Sequence, residues 1–353
     1  MKTVRAKAIV RMEDSAAVLE DILDHMREHA IVERHGTGAR LTSQFGTVDV
    51  SRLVDTVEVD VAAGSVVVLA MMKMFVAEHV HEFAGKSASI VWSGKSTAGS
   101  TPPQFQQAIV TSVFDVTPRM RRVVFSCRDV SLYSEVPGYH IRLLLPPSGR
   151  VPQWPALAED GRMEWPQGED ALTSRVYTIR SVDPAARTVA VDFVLHGGAG
   201  SGPGADFART ATPGAIAGLL GPGGDGRPEA SRALLLGDEA ALPAIARMIE
   251  EAPAGDEVAA FIEIEDAGEE QALTSAANVR LNWLHRRGRP SGGLGLLDAA
   301  LQQGLAADGG EDLFIWAGCE QAVAARLRDT VKARLPRSRG RHRIYGYWNR
   351  DTH

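Results

Sequence analysis

Cysteine is almost absent: Cys127 and Cys319 are the only two in 353 residues. Two thiols so far apart in sequence make neither a disulfide framework nor a zinc-ligand spacing, so reduced thiols in a cytoplasmic protein are expected. No run of about 18 apolar residues occurs, which argues against a membrane-spanning helix. The first residues are interrupted by Arg5, Lys7, Arg11 and Glu13, so the charged start, apolar core and cleavage site of a secretory leader are not expected. A basic excess is missing as well. The formal net charge of −6 argues against general nucleic-acid binding, and any anionic ligand must be met by a local cluster of cations.

What is present is an ordinary globular composition, 44% hydrophobic and 23% charged, in a chain long enough for two or three domains. Residues 4–11 alternate as a strand, Asp14 or Ser15 can cap a helix over 16–29, and short strands are expected at 39–45, 46–53 and 56–62. A second helix is expected over 65–83, giving a small α/β sandwich over 1–95. Within it His79 and His81 flank Val80 near the helix end. They do not share a helix face, so no metal site is assigned to them, and Met71, Met72 and Met74 read as core filling. Residues 93–103, rich in Gly, Ser, Thr and Pro, read as flexible, and 96–104 is taken as the linker.

From Phe105 the pattern changes to short alternating segments at 107–114, 120–127, 140–145, 175–180 and 188–195, which suits a closed or nearly closed antiparallel barrel over 105–225. The insert at 146–168, carrying Trp154 and Trp165, is expected over a barrel end. From Arg232 apolar strands (233–236, 257–264, 279–284, 313–317) alternate with helices (240–251, 294–303, 320–334). That pattern indicates a parallel sheet over 226–353 with its ligand crevice at the carboxyl ends of the strands. The fold class is therefore multi-domain α/β.

Three sets of residues carry chemistry. In Arg175-Val176-Tyr177-Thr178, alternate positions put Arg175 and Tyr177 on one face and Thr178 on the other. A guanidinium clamps a pyrophosphate, an aromatic ring stacks on an isoalloxazine, and a hydroxyl hydrogen-bonds a ring nitrogen. The run from His196 and Gly197 to Gly202-Pro203-Gly204-Ala205 joins a glycine loop to a helix start, where backbone N–H groups and the helix dipole suit phosphate. Gly237-Asp238-Glu239 and Gly318 fall at carboxyl ends of the parallel strands.

These pieces, with Val191-Asp192-Phe193-Val194-Leu195-His196-Gly197, the run from Gly237 to Ile245, Trp316-Ala317-Gly318 and Tyr345-Gly346-Tyr347-Trp348, resemble the siderophore-interacting protein family over about residues 105–350. That family is a branch of the ferredoxin-reductase-like flavoproteins. The resemblance implies an FAD-binding barrel, a nicotinamide-binding domain and reduction of ferric siderophores with release of Fe(II). It implies cofactor contacts from Arg175, Tyr177, Thr178, His196, Gly197, Gly202, Ala205, Gly237, Asp238, Glu239 and Trp348, the nicotinamide nucleotide being expected at the strand ends that carry Gly237 and Asp238. The serine usual after Pro-Ala in the phosphate loop is absent here. Residues 1–95 resemble a small uncharacterised bacterial family, sometimes fused to reductases, whose role the resemblance does not supply.

Catecholate siderophores are anionic, and His140, Arg142 and Arg350 are the expected cations, the first two sharing one strand face. Asn349 and Asp351 depart from the family's usual tail. NADH, NADPH and a ferredoxin remain open as donors: Glu263, Glu265 and Asp266 suit a ribose hydroxyl, whereas His285, Arg286, Arg287 and Arg289 suit a 2′-phosphate. No Ser-His-Asp set, carboxylate pair or metal-ligand cluster has convincing spacing, and Cys319 is given no catalytic role. The alternatives are a flavin reductase with another acceptor and a non-catalytic ferric-siderophore or flavin binder.

Overall fold

The computed structural model describes residues 3–85, 87–136, 138–197, 202–292, 295–308, 312–335 and 341–350. In chain order come β1 (Val4–Arg11), α1 (Ser15–His25), β2 (Ile31–His35), β3 (Gly38–Ser43), β4 (Gly46–Arg52), β5 (Val57–Ala63), α2 (Val66–Ala84) and β6 (Ser89–Trp92). Next are β7 (Phe105–Thr117), β8 (Met120–Cys127), α3 (Leu132–Glu135), β9 (His140–Leu145), β10 (Ala156–Leu157), β11 (Met163–Glu164), β12 (Thr173–Asp183), β13 (Thr188–Val194), α4 (Pro203–Thr210) and β14 (Ile216–Gly223). Last are β15 (Arg232–Asp238), α5 (Leu242–Glu250), β16 (Glu257–Ile264), β17 (Asn278–His285), α6 (Leu296–Asp308), β18 (Phe314–Glu320), α7 (Gln321–Arg334) and β19 (His342–Trp348). Two compact units divide the chain: residues 1–106 with 144–173, and 107–143 with 174–353.

The first unit is an antiparallel sheet in the order β2-β3-β4-β5-β1-β6, with α2 packed on β5 and β1 and α1 packed on α2. Period-2 alternation turns Ala8, Val10, Val57, Val59 and Val61 inward under α2, whose Val68, Met72 and Val80 are buried, as are Leu19 and Leu23 of α1. Each such valine or leucine contributes about 1.5–3 kcal/mol by leaving water. Asp14 caps α1 by accepting from the Ala17 N–H, and Ser65 caps α2 by accepting from that of Val68 at 3.2 Å. Edge strand β2, with four of its five residues exposed, and the four-residue β6 carry too little apolar alternation to be visible in the sequence. The insert at 146–168, expected over a barrel end, makes its described contacts inside this first unit. Asp160 in the β10–β11 turn accepts from Trp92 Nε1 at 2.7 Å and pairs with His81 Nε2 at 3.0 Å.

The second unit opens with a closed barrel, β12-β13-β8-β7-β14-β9. Five of its strands follow the expected segments; the sixth, β14, is an addition. The chain then forms a parallel sheet in the order β17-β16-β15-β18-β19. Strands β15, β16 and β18 are buried almost throughout because helices cover both faces. Leu235 faces α5, whereas Leu234 and Leu236 face α6 and α7. Barrel residues Met120 and Tyr139 join the α5 core. At this junction Arg180 pairs with Glu250 at 2.6 Å, and Arg247 lies over the Tyr139 ring at 3.9 Å. Among the described residues no helix is long and apolar enough to cross a membrane.

Candidate functional site

Strand β12 presents its motif as the alternation requires: Arg175 is exposed, Tyr177 half-buried and Thr178 buried. Arg175 donates one N–H to the Ser174 carbonyl at 2.8 Å, which leaves most of its fork pointing outward. The Tyr177 ring tilts against Phe193 with centroids 4.3 Å apart, and burial pushes its phenol up to about 12. Its hydroxyl occupies the space over Gly204, where a Cβ would lie 1.7 Å away. Only glycine at 204 allows that contact, which ties the Arg175–Tyr177 face to the first turn of α4.

Helix α4 is preceded by Gly202, whose φ of 149° is glycine territory, and has Pro203 in its first turn and no side-chain cap. The Asp206 N–H reaches the Gly202 carbonyl at 2.9 Å, so the earlier N–H groups of Gly204 and Ala205 have no intrahelical acceptor. Arg209, unmarked by any sequence pattern, folds back from the other end of α4. It donates to the carbonyls of His196 at 2.8 Å and Gly197 at 2.9 Å, holding the exposed start of the loop. Loop residues 198–201 lie outside the described residues.

At the carboxyl ends of the parallel strands, Gly237 pairs in register with Gly318. A Cβ on Gly237 would lie 2.8 Å from the Ala241 Cβ, and one on Gly318 would lie 3.2 Å from the Tyr347 ring. Asp238 is 2% exposed, accepts from Trp348 Nε1 at 2.8 Å and from the Ala240 N–H at 3.0 Å. Burial, with Glu239 and Glu263 nearby, raises its carboxyl to about 7 despite the indole donor. The folded pKa lies above the unfolded 3.8, so this group's stabilisation is complete below about pH 4 and is lost as pH rises through 7. Asp238→Asn is therefore expected to gain on the wild type by about 4 kcal/mol between about pH 4 and 8. Thermal midpoints of both proteins across that range measure it; parallel curves would sink the assignment.

Glu239 does not face outward. It forms a two-point pair with Arg286, with oxygens at 2.6 and 2.7 Å, and Arg286 also meets Glu265 at 3.3 Å and Glu263 at 3.9 Å. Arg119 adds a second cation on Glu265 at 2.9 Å, and the Gly292 N–H donates to Glu263 at 2.7 Å. His285 pairs with Glu270 at 2.8 Å. The acidic and basic sets that pointed to different nucleotides in the sequence thus largely neutralise each other. Neighbouring strands β16 and β17 run in register, Glu263 against Leu284 and Ile264 against His285, which brings the two sets to one edge.

Where barrel and sheet meet, the Tyr347 hydroxyl lies beside Thr178 and 3.1 Å from His140 Nε2. The Thr178 hydroxyl, expected on a flavin nitrogen, has this phenol beside it. Burial lowers the His140 pKa, so the imidazole is neutral at pH 7 and acts as a hydrogen-bonding group. Arg142, expected with it as a cation, is exposed two residues along β9. Arg350 donates to the Ser291 carbonyl and shares no contact with His140 or Arg142 among the described residues. Cys319 is 1% exposed with its thiol pushed up by burial, a core residue.

A closed antiparallel barrel followed by a parallel sheet, with an uncapped helix start under the barrel's Arg-Tyr face, defines a ferredoxin-reductase-like flavoprotein oxidoreductase. Comparison with known proteins narrows the class. Residues 109–226 match the siderophore-interacting FAD-binding domain, 230–351 the siderophore-interacting protein, and 7–93 an uncharacterized protein conserved in bacteria (DUF2218). A siderophore utilization protein from T. fusca is 34% identical, with TM-score 0.57 over 73% of this chain and 98% of that one. The siderophore-interacting protein SipS of Aeromonas hydrophila is 25% identical, with TM-score 0.58 over 71% and 93%. Ferric vibriobactin reductase ViuB of Vibrio cholerae is 28% identical over 245 residues, covering 67% of this chain and 86% of its own. The chain belongs to the siderophore-interacting protein family and carries its FAD-binding domain.

The residues present fit FAD. Arg175 spends one N–H of its planar fork on the protein, the first N–H groups of α4 have no acceptor among the described residues, and Gly204 leaves room for the Tyr177 hydroxyl.

Proposed function

We propose that the protein reduces ferric siderophores, drawing electrons from a nicotinamide nucleotide or a ferredoxin and releasing iron as Fe(II). The contact between Tyr177 and Gly204 carries this reading, because it joins the exposed Arg175 to the helix start in one anion-binding face. Arg175, with the N–H groups of Gly204 and Ala205, holds the pyrophosphate; Arg209 keeps the His196–Gly197 loop start in place for it. Tyr177 supplies an aromatic wall, and Thr178 with Tyr347 and His140 forms a neutral polar set beside the ring site. Bound there, FAD supplies hydride acceptance and one-electron delivery to Fe(III). No proton need move at the iron complex, so the site requires no general base. Arg142 gives the fixed positive charge that an anionic catecholate complex needs in an acidic chain.

Gly237, Asp238 and Trp348 lie at the sheet edge where the donor nucleotide would enter, within the nucleotide domain proposed for residues 226–353. A cytoplasmic place of action accords with two buried, unpaired thiols. The test is the visible spectrum of the protein with FAD under anaerobic conditions, on adding NADH or NADPH and then a ferric siderophore. Flavin bands that bleach with the nucleotide and return with the iron complex are expected. A flavin that only reduced ferredoxin bleaches selects the protein donor, and failure to retain FAD overturns the proposal.

A further inference from the structure

Three imidazoles of the first unit meet at the end of α1. His25 closes that helix, His29 follows the short 3-10 turn over Met26–Glu28, and His79 faces them from α2. One ligand atom from each lies within 4.8 Å of the others. Ring centroids stand 5.1 Å apart for His25 and His29, 5.3 Å for His25 and His79, and 6.1 Å for His29 and His79. His79 Nδ1 lies 2.8 Å from the Phe75 carbonyl. A carbonyl only accepts, so Nδ1 carries the hydrogen and Nε2 presents its lone pair. Backbone carbonyls orient metal-ligating imidazoles in the same way. The rings of Phe75, 4.0 Å from His79, and Phe83, 5.4 Å from His25, give the cluster an apolar wall. His81, the neighbour considered with His79 from sequence, turns instead to Asp160.

We propose that His25, His29 and His79 form a site for one divalent first-row transition metal of the zinc type, with a fourth position left for water or another ligand. Imidazole donors suit zinc, copper and nickel rather than magnesium or calcium, and three protein ligands with an open position is an established zinc geometry. Nitrogens bonded to zinc at about 2.0–2.1 Å stand about 3.3 Å apart, so the rings must close by up to about 1.5 Å. His29, exposed beyond the turn, has room to make that movement. A bound ion joins the end of α1 to α2 and stabilises the first unit by its binding free energy. This site is independent of the flavin reading.

The full-length, FAD-loaded protein, stripped with a chelator, is titrated with Zn(II) against a chromophoric competitor and separately with Co(II). One zinc per chain with a Kd below about 1 μM is expected, with cobalt bands of a four-coordinate nitrogen and oxygen site. His29→Gln and His79→Gln are each expected to weaken binding by about 100-fold or more, while His35→Gln, an exposed residue of β2, leaves it unchanged. Unchanged circular dichroism shows that the exposed His29→Gln variant is folded. Absence of saturable uptake by the wild type at about 100 μM zinc, or uptake that survives His29→Gln in a folded protein, overturns the site.

Discussion

Replacing Arg286 by methionine is expected to destabilise the second unit by about 3–5 kcal/mol, the usual result of leaving buried charge without its partner. Arg286 is 6% exposed and contacts Glu239, Glu263 and Glu265, which are 7%, 1% and 8% exposed. Arg119 assists Glu265, so among the described residues the other two carboxylates lose the cation they share. With a urea m-value of about 3 kcal/mol/M, the midpoint should fall by about 1–1.7 M at neutral pH. The deficit should narrow on acidification. Burial already raises the Glu263 carboxyl, and protonation removes the unpaired charge that Arg286 had balanced. An unchanged midpoint at neutral pH would show that the three carboxylates do not depend on this guanidinium.

The second large effect concerns FAD. Arg175→Ala removes a planar fork that uses only one N–H on the protein, so little folding stability is lost while a charge-assisted contact to phosphate disappears. At about 1.5–3 kcal/mol for hydrogen bonds to charged groups, the FAD dissociation constant should rise by about 10- to 150-fold. Arg175→Lys keeps the charge and loses the fork, so it should recover only part of the affinity. Flavin retained after gel filtration, and fluorescence of the released cofactor, measure both variants. Wild-type retention by Arg175→Ala would place the pyrophosphate elsewhere.

Much of the architecture was legible in the chain. Period-2 segments of half-buried strands marked five of six barrel strands, and apolar-rich segments alternating with helices marked four of the five parallel ones. The missed β14 ends in Gly221-Pro222-Gly223, which reads as a turn, and β19 carries Gly346 among aromatics without regular alternation. The proposed flavin motif is legible because Arg175, Tyr177 and Thr178 lie within four residues, and the alternation of a strand assigns their faces.

By itself the sequence determined most of the helices and strands, that a barrel precedes a parallel sheet, and which short motif is the candidate phosphate clamp. Hydrophobic period and turn chemistry are local, so they survive in one dimension. Tertiary structure alone decided that Arg286 belongs to three glutamates, that His140 is a neutral partner of Tyr347, that Arg209 holds the loop start, and that His79 meets His25 and His29. Each of these depends on strand register or helix docking between residues distant in the chain. There, burial and the need to pair every buried charge select the partner, and no local pattern records it.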